Sequence, residues 1–242
     1  MSNNNTAIQM YAQSIDQVTN AIKHGGHLRT MLVQGHMGTG KSSILSTLAK
    51  ELPTHTPCYF DCTTKDLGDI TIPKLRLMLE RKIGSYALHK DSIVFATTNL
   101  GQEGVGDLLP PHSRNRITIV TMKKPTNMEW IEWGINNGID ATLLGWCKDN
   151  PQLFQSFEDV KNPDDNPYVY NPKLQQTSFV TPRSLESCSD WLKSREHLDD
   201  HTLTSVLMGT IGERGAMDLM AFVKLADQLP TLESIKKEPK TT

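Results

Sequence analysis

The chain has 242 residues, a formal net charge of −2, 37% hydrophobic residues and 21% charged residues. That balance fits a globular protein and excludes a disordered or fibrous chain. The near-zero charge gives no argument for nucleic acid or a lipid surface as partner, and no apolar run approaches the roughly 20 residues of a membrane span.

Residues 7–23 carry Ile8, Tyr11, Ala12, Ile15, Val18 and Ile22 at spacings of three and four, which predicts an amphipathic helix ending at Gly25-Gly26. Leu28 to Gln34 reads as a short buried strand. Ser43 to Leu52 reads as a helix with Ile44, Leu45, Leu48 and Leu52 on one face. A second strand is expected over 57–62 and a helix over 72–82. Further strands are expected over 91–99 and 117–122. Beyond residue 125 the pattern turns helical. Thr126-x-x-Glu129 is a capping box, Asp140 caps a second helix, and Thr181-Pro182 opens a third. Asp200 is expected to cap a fourth, and a fifth spans about 214–227. Residues 158–180, rich in Asp, Asn and Pro, read as an irregular linker, and the tail from Glu233 reads as disordered. The predicted organisation is an α/β core over 1–124, a helical lid over 125–228 and a tail over 229–242.

Between the first strand and its helix lies Gly35-His36-Met37-Gly38-Thr39-Gly40-Lys41-Ser42, which fits G-x-x-x-x-G-K-[ST]. The chemistry explains the residue types. Gly35, Gly38 and Gly40 let the backbone curl, so that N–H groups of the loop, with those of Thr39 and Ser43, point at phosphate oxygens. Lys41 reaches the β- and γ-phosphates, and the Ser42 hydroxyl can ligate Mg²⁺. The helix, expected to open at Lys41, adds its positive end. ATP and Mg²⁺ are the expected ligands.

The four cysteines, Cys58, Cys62, Cys147 and Cys188, form no C-x-x-C pair and read as buried free thiols. His197 and His201 are four apart, but Leu198 stands where a metalloprotease motif needs Glu, so both read as surface histidines. The opening Met1-Ser2-Asn3-Asn4-Asn5-Thr6 lacks the basic and apolar regions of a signal peptide, which makes the cytoplasm the expected compartment.

Together these residues resemble the AAA+ ATPases, and in particular the MoxR-like branch common in bacteria and their phages. The resemblance covers about residues 25–225. It implies a P-loop NTPase fold, a three-layer α/β core with a parallel sheet of order 5-1-4-3-2 and a C-terminal helical lid. It also implies a homo-oligomeric ring, a hexamer in the family, that remodels or chaperones a protein client. Phe95-Ala96-Thr97-Thr98-Asn99 is similar to the sensor 1 strand, whose polar residue, here Asn99, orients the attacking water. Arg81 to Leu88 is similar to the hairpin these proteins carry before that strand. Arg114-Asn115-Arg116 lies where the family's arginine finger precedes the last core strand; Arg116 matches best, with Arg114 as rival. Thr181-Pro182-Arg183-Ser184 is similar to sensor 2, whose arginine, here Arg183, turns onto the γ-phosphate.

The chain departs from the family at one point. No apolar strand ending in Asp-Glu, the Walker B segment, is present. Asp66 to Ile70 matches the loop after the second strand, and Leu75 to Glu80 resembles the end of the helix that follows Walker B. The sequence reads as if the block between them, strand 3 of the sheet, had been removed. Strand 57–62 is then expected to move inward beside 92–98, with the 73–83 helix as crossover. That shift would bring Asp61 towards Ser42 as a surrogate metal ligand; otherwise Asp61 is a solvated strand-end residue. Three functions follow: a remodelling ATPase, a nucleotide-binding regulatory subunit with little hydrolysis, and a small P-loop phosphotransferase.

Overall fold

A computed structural model of the chain describes residues 12–59, 77–83, 85–100, 115–160, 162 and 165–228. The chain divides into two compact units, 1–124 and 125–242.

In the first unit Ser14 caps α1 (Ile15–Gly25). Its hydroxyl accepts from the Gln17 N–H, and its own N–H donates to Gln17 Oε1. The helix thus begins at Ile15 rather than at residue 7, and residues 1–11 lie outside the described residues. The cause is the segment just before it. Gln13 donates its N–H to Thr121 O and accepts from the Lys123 N–H, a parallel bridge that commits it to the sheet.

Next come β1 (Met31–Gly35), α2 (Ser43–Glu51), the paired β2 (Lys82–Ile83) and β3 (Tyr86–Ala87), β4 (Phe95–Asn99) and β5 (Thr118–Met122). β1 lies between β4 and β5 and runs parallel to both. Met31 pairs with Phe95 and Thr118 at one end; Gly35 pairs with Asn99 and Met122 at the other. Alternation sends Val33 and Met122 to the face where Val18 and Ile22 of α1 meet Ile44 and Leu48 of α2. All six are buried, and each buried aliphatic side chain contributes about 1.5–3 kcal/mol. An ion pair of 2.8 Å between Lys23 and Glu51 joins the two helices. The other face carries Leu32, Ala96 and Ile119 beside Gln34, Thr98 and Thr121, and Ile119 is 40% exposed. Among the described residues the sheet is covered on one face, and the third layer of the expected core is not among them.

Two expectations fail here. Pro57, Cys58 and Tyr59 are irregular and exposed, Tyr59 by 70%. Pro57 has no N–H to give a sheet ladder, and no strand forms over 57–59. Residues 60–76, with Asp61 and Cys62, lie outside the described residues, and among those described β4 pairs with β1 alone. The 72–82 helix, described from residue 77, stops at Glu80 because Arg81 takes a left-handed conformation (φ 55°) and Lys82 enters β2. The Arg81 guanidinium holds this turn by donating to Gly26 O at 3.1 Å and to Ser92 O. The Thr30 hydroxyl donates to Met78 O at 2.6 Å.

The second unit is helical. Thr126 and Glu129 form the expected capping box of α3 (Asn127–Asn136). Asp140 caps α4 (Ala141–Asp149) by accepting from the Thr142 and Leu143 N–H groups. Thr181 caps α5 (Pro182–Lys193) with Pro182 at its first position. Then α6 spans Asp200–Gln228. Its cap is Asp199 rather than Asp200: Asp199 Oδ1 accepts from the Thr202 N–H at 2.7 Å, and this bond holds the carboxyl below the usual aspartate range.

α6 is two helices rather than one. Gly212 sits at φ 83°, ψ 164° inside it, a conformation only glycine adopts readily. Lys224 reaches Asp200 at 2.8 Å, although twenty-four residues of straight helix would part them by about 36 Å. The chain therefore folds back at Gly212 into an antiparallel pair, and Arg195 closes its open end by donating to Asp227 at 2.9 Å. The inner faces, Leu203, Leu207 and Ile211 on one arm and Ala216, Leu219 and Val223 on the other, join Trp146, Leu185 and Leu192 in one core.

The stretch over 158–180 is more than a linker where it is described. Val169 and Val180 are buried, and so are Asn166 and Asn171. Asn166 donates to Gln152 O and Gln155 Oε1, both at 2.8 Å, and so pays no penalty for an unpartnered amide. The Tyr168 hydroxyl donates to Asp218 Oδ2 at 2.5 Å, tying the strap to α6. Cys147 and Cys188 are buried free thiols, and burial pushes Cys188 up to about 12 and Cys147 higher still. Cys58 is exposed, against expectation, because its segment joins no core. His197 and His201 are at the surface. Among the described residues no helix is long and apolar enough to cross a membrane.

Candidate functional site

The glycine-rich segment leaves the C-terminal end of β1, the middle strand, and returns into α2. Gly38 (φ 68°) and Gly40 (φ 85°) are both left-handed, which a side chain would oppose. The loop closes with i to i+3 bonds: the Ser43 N–H donates to Gly40 O at 2.9 Å and the Ile44 N–H to Lys41 O at 3.4 Å. The helix proper consequently begins at Ser43, two residues after Lys41. Its first turn holds no acidic side chain, so nothing there offsets the positive end of the helix.

Lys41 is only 7% exposed. Its ammonium lies back across the loop and donates to Gly35 O at 2.8 Å and His36 O at 2.5 Å. A buried charge without such partners would cost several kcal/mol, so these carbonyls fix where the ammonium sits. His36 O also accepts from the Thr39 hydroxyl at 2.8 Å, and the Ser43 hydroxyl donates to Gly40 O at 2.7 Å. Ser42 and Ser43 are both exposed, but the Ser42 side chain makes no capping bond. Curled backbone, helix start and held ammonium together can take phosphate oxygens, and Ser42 offers a hydroxyl to a metal ion beside them.

The parallel register brings Asn99 here as well. It ends β4, pairs with Gly35 and is exposed, so it stands about one strand spacing, some 4.8 Å, from the start of the loop. Arg116 goes elsewhere. It precedes β5 by two residues, at the opposite end of the sheet, with a five-residue strand of about 16 Å between it and the loop edge. An arginine side chain does not span that, so Arg116 can meet a loop only in a second copy. Arg183 belongs to the second unit, at the second position of α5, and is exposed. It lines an open groove of about 640 Å³ with Thr181, Ser184, Asp190, Trp191 and Thr210. Asp61 and Arg114 lie outside the described residues. Among those described, no group of three His, Cys, Asp or Glu could hold a metal.

One part of the site escaped sequence reasoning. The bridge at Gln13 lays the start of α1 against the loop, with Ile15 Cδ1 3.3 Å from where a Cβ on Gly40 would stand. The signal was present: Ser14-x-x-Gln17 is a capping box, obscured by the longer apolar periodicity around it.

No family model, no curated protein and no solved structure matches this chain.

Proposed function

We propose that the chain is an ATP-binding P-loop protein of the MoxR-like AAA+ type, which couples ATP binding and hydrolysis to the remodelling or chaperoning of a protein partner. The observation that carries this reading is Lys41, buried and held by the carbonyls of Gly35 and His36 over a loop with two left-handed glycines. The parallel order β4-β1-β5 supports it, being the 4-1-5 part of that family's sheet. Loop N–H groups and Lys41 bind the triphosphate, and Ser42 contributes to holding Mg²⁺, which would neutralise charge between the β- and γ-phosphates. Asn99 positions water near the loop. Arg116 acts on a neighbouring copy's nucleotide in a homo-oligomeric ring, and Arg183 acts from the lid. The cytoplasm is the proposed compartment, supported by the two buried free thiols.

A second reading, nucleotide binding with little hydrolysis, is favoured by one observation. The residues that follow β1, β4 and β5 are His36, Leu100 and Lys123, so among the described residues no carboxylate directly follows any of these strands to activate water. ATP at about 100 times its dissociation constant stabilises the binding unit by about 2.7 kcal/mol. Lys41→Ala should abolish that stabilisation; an equal shift in the variant would refute the site. Turnover of ATP at rising protein concentration separates the readings, because a ring-dependent hydrolase gains specific activity on assembly and a regulatory subunit shows none.

A further inference from the structure

We infer that Arg29 joins Arg116 in a two-guanidinium grip for the phosphates of a nucleotide held in the loop of a second copy; this rests on the function proposed above. Met31 and Thr118 are paired, and the Thr118 N–H donates to Thr30 O at 2.9 Å. Arg29 and Arg116 each precede a paired residue by two, so both stand just outside neighbouring strands, at the end of the sheet opposite the loop. Both are exposed, and among the described residues neither guanidinium has a hydrogen-bond or ion-pair partner.

Two like charges placed just before paired strand starts repel rather than attract, so they add nothing to the fold. Stability therefore does not account for them, and a chain of net charge −2 is not basic everywhere. What two forks at the same end of the sheet do supply is a local positive potential and bidentate donors, the geometry that phosphate oxygens take. The chain's own loop lies a full strand length away, so the anion reached from here belongs to another molecule. A phosphate already fixed in a neighbour's loop satisfies that condition and makes the grip depend on nucleotide.

Sedimentation velocity with saturating ATP tests this on the full chain and its Arg29→Ala, Arg29→Lys, Arg116→Ala and Lys41→Ala variants. The wild type should assemble on adding ATP. Arg29→Ala should need roughly tenfold more protein for half-assembly, as should Arg116→Ala, and Arg29→Lys should recover part of the loss. Thermal melting of Arg29→Ala without nucleotide should match or exceed the wild type, which a merely structural arginine would not allow. ATP-driven assembly of Arg29→Ala at wild-type concentrations would overturn the inference. So would wild-type assembly without ATP, or assembly of Lys41→Ala with ATP. Inorganic pyrophosphate binding to Lys41→Ala, and lost on adding Arg29→Ala, would make the ligand a free anion and overturn the neighbour's nucleotide as its source. ATP binding by dilute wild type tests the loop separately. If that binding is present and assembly is absent, the grip falls and the loop stands.

Discussion

Replacing Gly212 with alanine attacks the fold-back of α6 at its turning point. The backbone there, φ 83° and ψ 164°, costs a residue with a Cβ about 1–3 kcal/mol. The added Cβ would also stand 2.8 Å from Ser178 O, a backbone atom that cannot swing aside. Relief requires moving the 178–179 strap, whose Ser178 hydroxyl donates to Met208 O at 2.7 Å, a bond worth about 1 kcal/mol. The lower entropy of alanine in the unfolded chain returns only about 0.4–1 kcal/mol. The balance is a loss of about 1–4 kcal/mol. At roughly 4–8 °C per kcal/mol for a domain near 100 residues, the melting point of the second unit should fall by about 4–30 °C. Tryptophan fluorescence reads this unit alone, because Trp130, Trp133, Trp146 and Trp191 all lie in it. A fall of under about 3 °C would refute the bent arrangement, since a glycine in a straight helix gains from alanine.

Thiol titration of the folded protein should find Cys58 reactive, and Cys147 and Cys188 reactive only after unfolding, because burial keeps both as thiols; a Cys58→Ser variant that still lost Cys147 or Cys188 under native conditions would contradict the packing. Asp199 has a carboxyl held below its unfolded value, so its contribution is present above about pH 4 and disappears as pH falls through the lower folded value. Asp199→Ala should therefore melt below the wild type at pH 7, with the gap narrowing as pH falls below about 4; a gap independent of pH would mean that the Thr202 bond is not its source.

Local chemistry made much of this legible. The capping box at Thr126 and the proline following Thr181 fixed helix starts to the residue, since the Thr126 side chain answers a specific orphan N–H and the proline carries none. Short apolar runs placed β1, β4 and β5 to within a few residues. The break between two C-terminal helices was readable too, although Asp199 took the cap expected of Asp200. What failed depended on partners distant in sequence. Gln13 leaves a helical pattern because Thr121 and Lys123, over a hundred residues away, offer it a bridge. Pro57 to Tyr59 read as a strand from composition and found no ladder. At the site, the motif named the residues of the loop, but only the register showed that Asn99 adjoins it and Arg116 does not.

The central claim is that the loop around Lys41 holds the phosphates of ATP. Isothermal titration of the full chain with ATP and Mg²⁺ tests it most directly, beside Lys41→Ala and Gly40→Ala. Gly40→Ala would set a side chain in a left-handed position, 3.3 Å from Ile15 Cδ1 and 3.4 Å from Ser43 Oγ. The account predicts one ATP bound per wild-type chain, and at least tenfold weaker binding in each variant with tryptophan-monitored melting of the second unit unchanged. No binding by the wild type, or equal binding by all three, would contradict it.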